Sequence, residues 1–133
     1  MVWAVAFLFG APLVARAEVL NLTGAIPLRT NYCGISLLNT EQINQTLTCV
    51  YGTCKVQDHV EHISMSGVYP TNEALLEGVF KDITNKKCEW QVAYAYTNIN
   101  TKAKSLHLKE YYVNWCKNAP KCDYTYEGSV KIK

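Results

Sequence analysis

The sequence predicts a mainly β fold: a small antiparallel barrel or sandwich of six or seven strands with one short helix, stapled by three disulfides. Three observations predict it. Large apolar residues alternate with polar or small ones in the runs Trp90–Thr97 and Leu106–Trp115, the period a strand with one buried face requires. Polar, turn-forming clusters separate these runs from their neighbours. Six cysteines follow an apolar leader, and an even number in an exported chain reads as a disulfide framework.

The leader is Val2–Phe9, too short to span a membrane. Ala15-Arg16-Ala17 follows, a small-x-small pattern suited to signal peptidase. No Lys or Arg precedes the apolar run, which departs from the usual pattern. Residues 1–17 are expected to be a signal peptide and residues 18–133 a single disulfide-stapled extracellular domain. No other stretch is apolar enough for a transmembrane segment, so the expected product is a secreted monomer. The cysteines are Cys33, Cys49, Cys54, Cys88, Cys116 and Cys122. The close pairs Cys49-x4-Cys54 and Cys116-x5-Cys122 lack CxxC spacing, which disfavours zinc. Asn21-Leu22-Thr23 and Asn44-Gln45-Thr46 are N-glycosylation acceptors, expected on exposed loops of a glycoprotein. Asn114-Trp115-Cys116 is a weaker acceptor, discounted because it falls in a strand beside a cysteine.

Taken in order, Glu18–Thr30 reads as an irregular lead-in and Tyr32–Leu38 as a first strand. Asn39–Thr46 is polar and reads as loop. Leu47–Tyr51 is a short strand, broken at Gly52-Thr53, and Cys54–Val56 resumes it; a Cys49–Cys54 bond could close that turn. Val56–Tyr69 alternates weakly, as an edge strand does, and Tyr69–Asn72 is a turn. Asn72–Asp82 predicts the helix: Thr71 or Asn72 can cap it, and Leu75, Leu76, Val79 and Phe80 share a helical stripe. Gly78 weakens that helix by about 1 kcal/mol, and a strand over Leu75–Ile83 is the alternative. Asp123–Lys133 is the last strand.

The hairpin between the two best runs carries a phase slip. Leu106 and Leu108 share one parity, while Tyr111, Val113 and Trp115 take the other. An extra residue near Lys109-Glu110 restores the phase, as a β-bulge does. The register is then Trp90 opposite Trp115, Val92 opposite Val113, Tyr94 opposite Tyr111 and Tyr96 opposite Leu108. A direct Cys88–Cys116 bond is disfavoured in that register.

The net charge is +2, and it is unevenly divided. Glu18–Phe80 holds two basic residues against six acidic ones, and Lys81–Lys133 ten against five. The lysines are scattered, as on solvated strand faces, and no basic stripe invites nucleic acid. Asp58-His59-Val60-Glu61-His62 is a compact polar cluster, but it meets neither HExxH nor HxxEH and lacks a marked third ligand. There is no nucleophile elbow, and no cysteine stays free if all six pair. No catalytic residue, metal or cofactor is therefore expected, and the chain is expected not to be an enzyme.

What remains is binding. Nine tyrosines exceed what a core of this size needs, and tyrosine supplies rigid amphipathic contact area. The first expectation is a secreted non-enzymatic protein acting on an extracellular partner protein, as an inhibitor or a venom- or saliva-type effector. The alternative is a carrier of a small apolar ligand, such as a lipid, in a β-barrel or cup. Its lining candidates are Trp90, Val92, Tyr94, Tyr96, Tyr111, Val113 and Trp115.

Overall fold

The computed structural model describes residues 18–68, 73–82, 84–117 and 119–133. The expected signal peptide and the Tyr69–Asn72 turn lie outside them. Eight strands follow one another: β1 (Glu18–Asn31), β2 (Thr40–Val50), β3 (Thr53–Asp58), β4 (Ile63–Val68), β5 (Ala74–Lys81), β6 (Cys88–Asn100), β7 (Ser105–Cys116) and β8 (Cys122–Ile132). Each pairs antiparallel with the next, and β1 pairs with β8 to close an up-and-down barrel. Closure leaves no edge strand, which removes the unpaired backbone groups an open sheet exposes.

Alternation explains the wall. Leu20, Leu22 and Ile26 of β1, Ile43 and Leu47 of β2, Val56 of β3, Leu76 of β5, Leu106 and Leu108 of β7, and Val130 and Ile132 of β8 are buried in one core. The β2–β3 turn is Tyr51-Gly52, both at positive φ (55° and 77°), the two-residue hairpin that matches strand twist. At Gly67 a Cβ would sit 1.8 Å from the Leu75 carbonyl oxygen. Only glycine lets β4 approach β5 so closely.

All three disulfides form: Cys33–Cys122, Cys49–Cys54 and Cys88–Cys116. The second closes the β2–β3 hairpin, as the spacing allows. The third overturns the expected bulge. Cys88 pairs with Cys116, Trp90 with Asn114, Val92 with Tyr112 and Tyr94 with Glu110; Tyr96 does face Leu108. The apparent phase slip arises because Glu110 is itself an inward residue, in line with Leu106, Leu108 and Tyr112. A charged side chain on the buried face made an unbroken strand look shifted.

The predicted helix over Asn72–Asp82 is strand β5, and the described residues contain no helix. Ala74 and Leu76 are buried, whereas Leu75 and Val79 are exposed. Parity across the sheet overrides the helical stripe. The chain-start assignments also change. Glu18–Asn31 is strand, and Tyr32–Leu38 is the loop after it. Pro27 and Gly24 lie between Thr23 and Leu28, where β1 has no β8 partner, so the missing N–H of Pro27 costs no β8 hydrogen bond. Asn39–Thr46 is mostly β2 rather than loop, because its inward Gln45 finds polar partners. The single edge strand expected over Val56–Tyr69 is β3 and β4, joined by a turn. Asn21 and Asn44 are exposed but sit on strands β1 and β2, not on loops.

Candidate functional site in the barrel mouth

Three inward positions on neighbouring or facing strands are polar where the pattern calls for apolar residues. They are Gln45 on β2, Asp58 at the end of β3 and Glu110 on β7, each at most 2% exposed. Gln45 is the hub. Its Nε2 donates to Asp58 Oδ2 (3.0 Å) and to Glu110 Oε2 (2.8 Å), and its Oε1 accepts from the Tyr96 hydroxyl (2.7 Å). The Tyr94 hydroxyl donates to Asp58 Oδ2 at 2.6 Å, and the Tyr112 hydroxyl to Glu110 Oε1 at 2.8 Å. Asp58 Oδ1 accepts the backbone N–H groups of Val60 and Glu61, which fixes the β3–β4 turn. Among the described residues no buried side-chain nitrogen or oxygen lacks a partner. The network fills the bore with satisfied polar groups, the condition under which such a core is tolerated.

Burial sets the protonation. It raises the Glu110 carboxyl to about 8, helped by the Asp58 charge and opposed by the Tyr112 and Gln45 hydrogen bonds. Burial likewise lifts the Tyr94, Tyr96 and Tyr112 hydroxyls well above 10, so they remain donors at every physiological pH.

Above this plug the bore opens at one end. That mouth is framed by the β1–β2 loop (residues 32–39), the β3–β4 turn (59–62), the described part of the β5–β6 loop (82 and 84–87) and of the β7–β8 loop (117 and 119–121). Two disulfides brace it: Cys33–Cys122 ties the first loop to β8, and Cys88–Cys116 ties β6 to β7. The Tyr126 hydroxyl donates to the Leu38 carbonyl oxygen at 2.8 Å, anchoring the first loop again. A cavity of about 650 Å³ lies in the mouth, walled by Ile63, Phe80, Trp90, Tyr112 and Tyr124 with Glu61 at its edge. Trp90 meets Tyr124 edge-on at 5.9 Å, Tyr124 stacks on Tyr112 at 5.0 Å, and Tyr112 meets Tyr94 edge-on at 6.4 Å. An aromatic ladder thus runs from the rim down to the polar plug.

The mouth carries two further carboxyls. Glu41 of β2 is raised to about 9, first by burial and then by a hydrogen bond to, and the charge of, Glu61. Tyr124 is pushed up mainly by burial and then by the Glu61 charge. At the rim, the Asp82 carboxylate is held below its usual range, first by Thr84, whose hydroxyl and N–H both reach it, and more weakly by the Trp90 side chain. Lys81 and His62 also border the cavity. His107 Nε2 lies 2.7 Å from Glu127 Oε2, on β7 and β8 and apart from the cavity lining. Among the described residues no Lys or Arg is buried.

The lining candidates therefore separate. Trp90 and Val92 border the mouth cavity. Tyr94 and Tyr96 are fully buried in the plug. Tyr111 and Val113 line an outer-wall groove of about 590 Å³ with Val79 and Ala93, and Trp115 shares their parity on β7. Sequence reasoning missed Gln45, Asp58, Glu110, Glu41, Tyr112 and Tyr124 as members of the bore and mouth. One signal could have found Glu110: restoring it to the inward set makes Leu106–Tyr112 a single unbroken alternation. The Asp58–His62 cluster divides, with Asp58 in the plug, Glu61 and His62 at the cavity, and His59 Nε2 3.0 Å from the Thr46 hydroxyl. Among the described residues no three His, Cys, Asp or Glu side chains are grouped to hold a metal ion. Comparisons with protein-family models, curated proteins and solved structures find no match to this chain.

Proposed function

We propose that the chain is an extracellular, non-enzymatic binding protein that takes one small ligand in the barrel mouth. The apolar leader and the three disulfides support an oxidising destination. The observation that carries the reading is the aromatic-walled cavity of about 650 Å³ seated on a filled bore. Eight strands enclose an interior just wide enough for side chains or one small ligand. Here side chains take the lower part, and the free volume is left at the mouth. It falls within the range of small-molecule sites. A long acyl chain has no bore to enter, because Leu47, Tyr94, Tyr96 and Leu108 fill it; the ligand is short and flat instead. Native mass spectrometry of the secreted protein tests this. A bound species of a few hundred daltons, lost on Trp90→Ala, is the expected result. A bare glycopolypeptide that also binds no small aromatic compound would overturn it.

A protein partner is the second reading, favoured by the outer face of β5–β7. Leu75, Val79 and Tyr111 are 44%, 59% and 40% exposed on β5 and β7, and the sequons lie across the barrel on β1 and β2. Slowed amide exchange confined to β5–β7 in a complex would favour this reading; protection confined to the mouth would exclude it.

A further inference from the structure

The mouth cavity also defines the charge of what it would hold. We infer that its ligand is a small organic cation, an amine carried on a flat ring, seated against Trp90 and Tyr124 with its ammonium toward Glu61. This deepens the proposed small-ligand function and rests on it.

The walls provide the first argument. Trp90, Tyr124, Tyr112 and Phe80 present ring faces and edges around one volume, and aromatic rings attract cations through their faces. A purely apolar ligand needs only aliphatic walls, which elsewhere dominate this core.

The second argument is how the charge is partitioned. The chain as a whole is net positive, yet among the described residues no Lys or Arg side chain is buried and the interior carboxyls are Asp58 and Glu110. Glu61 and Asp82 carry acid groups to the lining of the cavity itself. Asp58 and Glu110 have their hydrogen-bond needs met by the plug. Lys81 is exposed at the rim, so the lining sets two carboxylates, Glu61 and Asp82, against one ammonium.

A charge series on one ring tests the inference with the full secreted protein: tryptamine, its neutral alcohol counterpart tryptophol, and the anion indole-3-acetate, each followed by isothermal titration calorimetry. Tryptamine is expected to bind about tenfold or more tighter than tryptophol, the range one desolvated cation–aromatic contact supplies. Indole-3-acetate is expected not to bind. Glu61→Gln should bring tryptamine down toward tryptophol and leave tryptophol unchanged. Equal affinity for tryptamine and tryptophol would overturn the cationic ligand and leave the small-ligand cavity standing. Failure of all three indoles, together with no bound species in the native mass spectrum, would overturn both.

Discussion

The plug and the mouth are built from the same residue types, tyrosines and acids, and behave as opposites. In the plug each polar atom has a partner within the chain: Gln45 bridges two carboxyls, and three tyrosine hydroxyls close the remaining sites. In the mouth the rings enclose free volume, with the Glu61 and Asp82 carboxylates on its lining. Composition alone therefore does not distinguish a structural polar core from a binding site. Satisfaction does: a closed network gains nothing from a ligand, whereas an open acidic cleft does.

The largest expected effect comes from breaking the plug. Gln45→Leu removes the shared donor of two buried carboxyls and the acceptor for Tyr96, and should cost roughly 3–5 kcal/mol, the scale of an orphaned buried charge or polar group. Urea denaturation measures it; a loss under about 1 kcal/mol would show that the network is not closed as described.

The second effect is a pH dependence of stability from the plug. The Glu110 carboxyl rises from 4.5 to about 8 on folding, chiefly through burial. Its folded state keeps a proton that the unfolded state releases. Stability is thus greatest below about 4.5, falls as pH rises toward 8, and is flat above that. Glu41, raised to about 9, acts in the same direction. Denaturation midpoints at pH 5 and pH 8 should differ by a few kcal/mol in free energy, and Glu110→Gln should remove about half of the difference, Glu41 carrying the rest. A Glu110→Gln profile as steep as that of the parent would exclude Glu110 as the source.

Mouth substitutions should act on binding more than on folding. Trp90→Ala truncates a half-buried ring and should cost about 1–2 kcal/mol, less than a fully buried aromatic, while abolishing retention of the small ligand. The smallest effect is Glu61→Gln, which alters an exposed side chain and should shift stability by no more than about 0.5 kcal/mol. If Glu61→Gln destabilised as much as Gln45→Leu, the mouth would be an extension of the plug, and the contrast between them would fail.

Part of this molecule was legible residue by residue. The alternation of Trp90–Thr97 gave β6, Gly52 gave the break between β2 and β3, and Cys49-x4-Cys54 gave a hairpin bond that does form. The polar stretch around Gln45 and the Glu110 position were misread for one reason. An inward polar residue looks outward until its partners are known, and those of Gln45 are 13, 51 and 65 positions away in the chain. The register error at β7, the disfavoured Cys88–Cys116 bond and the missed mouth residues all follow from it. Asn72–Asp82 fails differently. Its helical stripe is real, but a local preference worth tenths of a kcal/mol per residue yields to eight registered pairs with β6.

By itself, then, the sequence determined what is local: the strand-forming periods, the principal turns and a full complement of pairing cysteines. Tertiary structure decided closure of the barrel, which cysteines met, and which acids went inside. Periodicity belongs to neighbouring residues and is written in the chain. A buried carboxyl is tolerable only when distant strands bring it donors, and no local pattern records that.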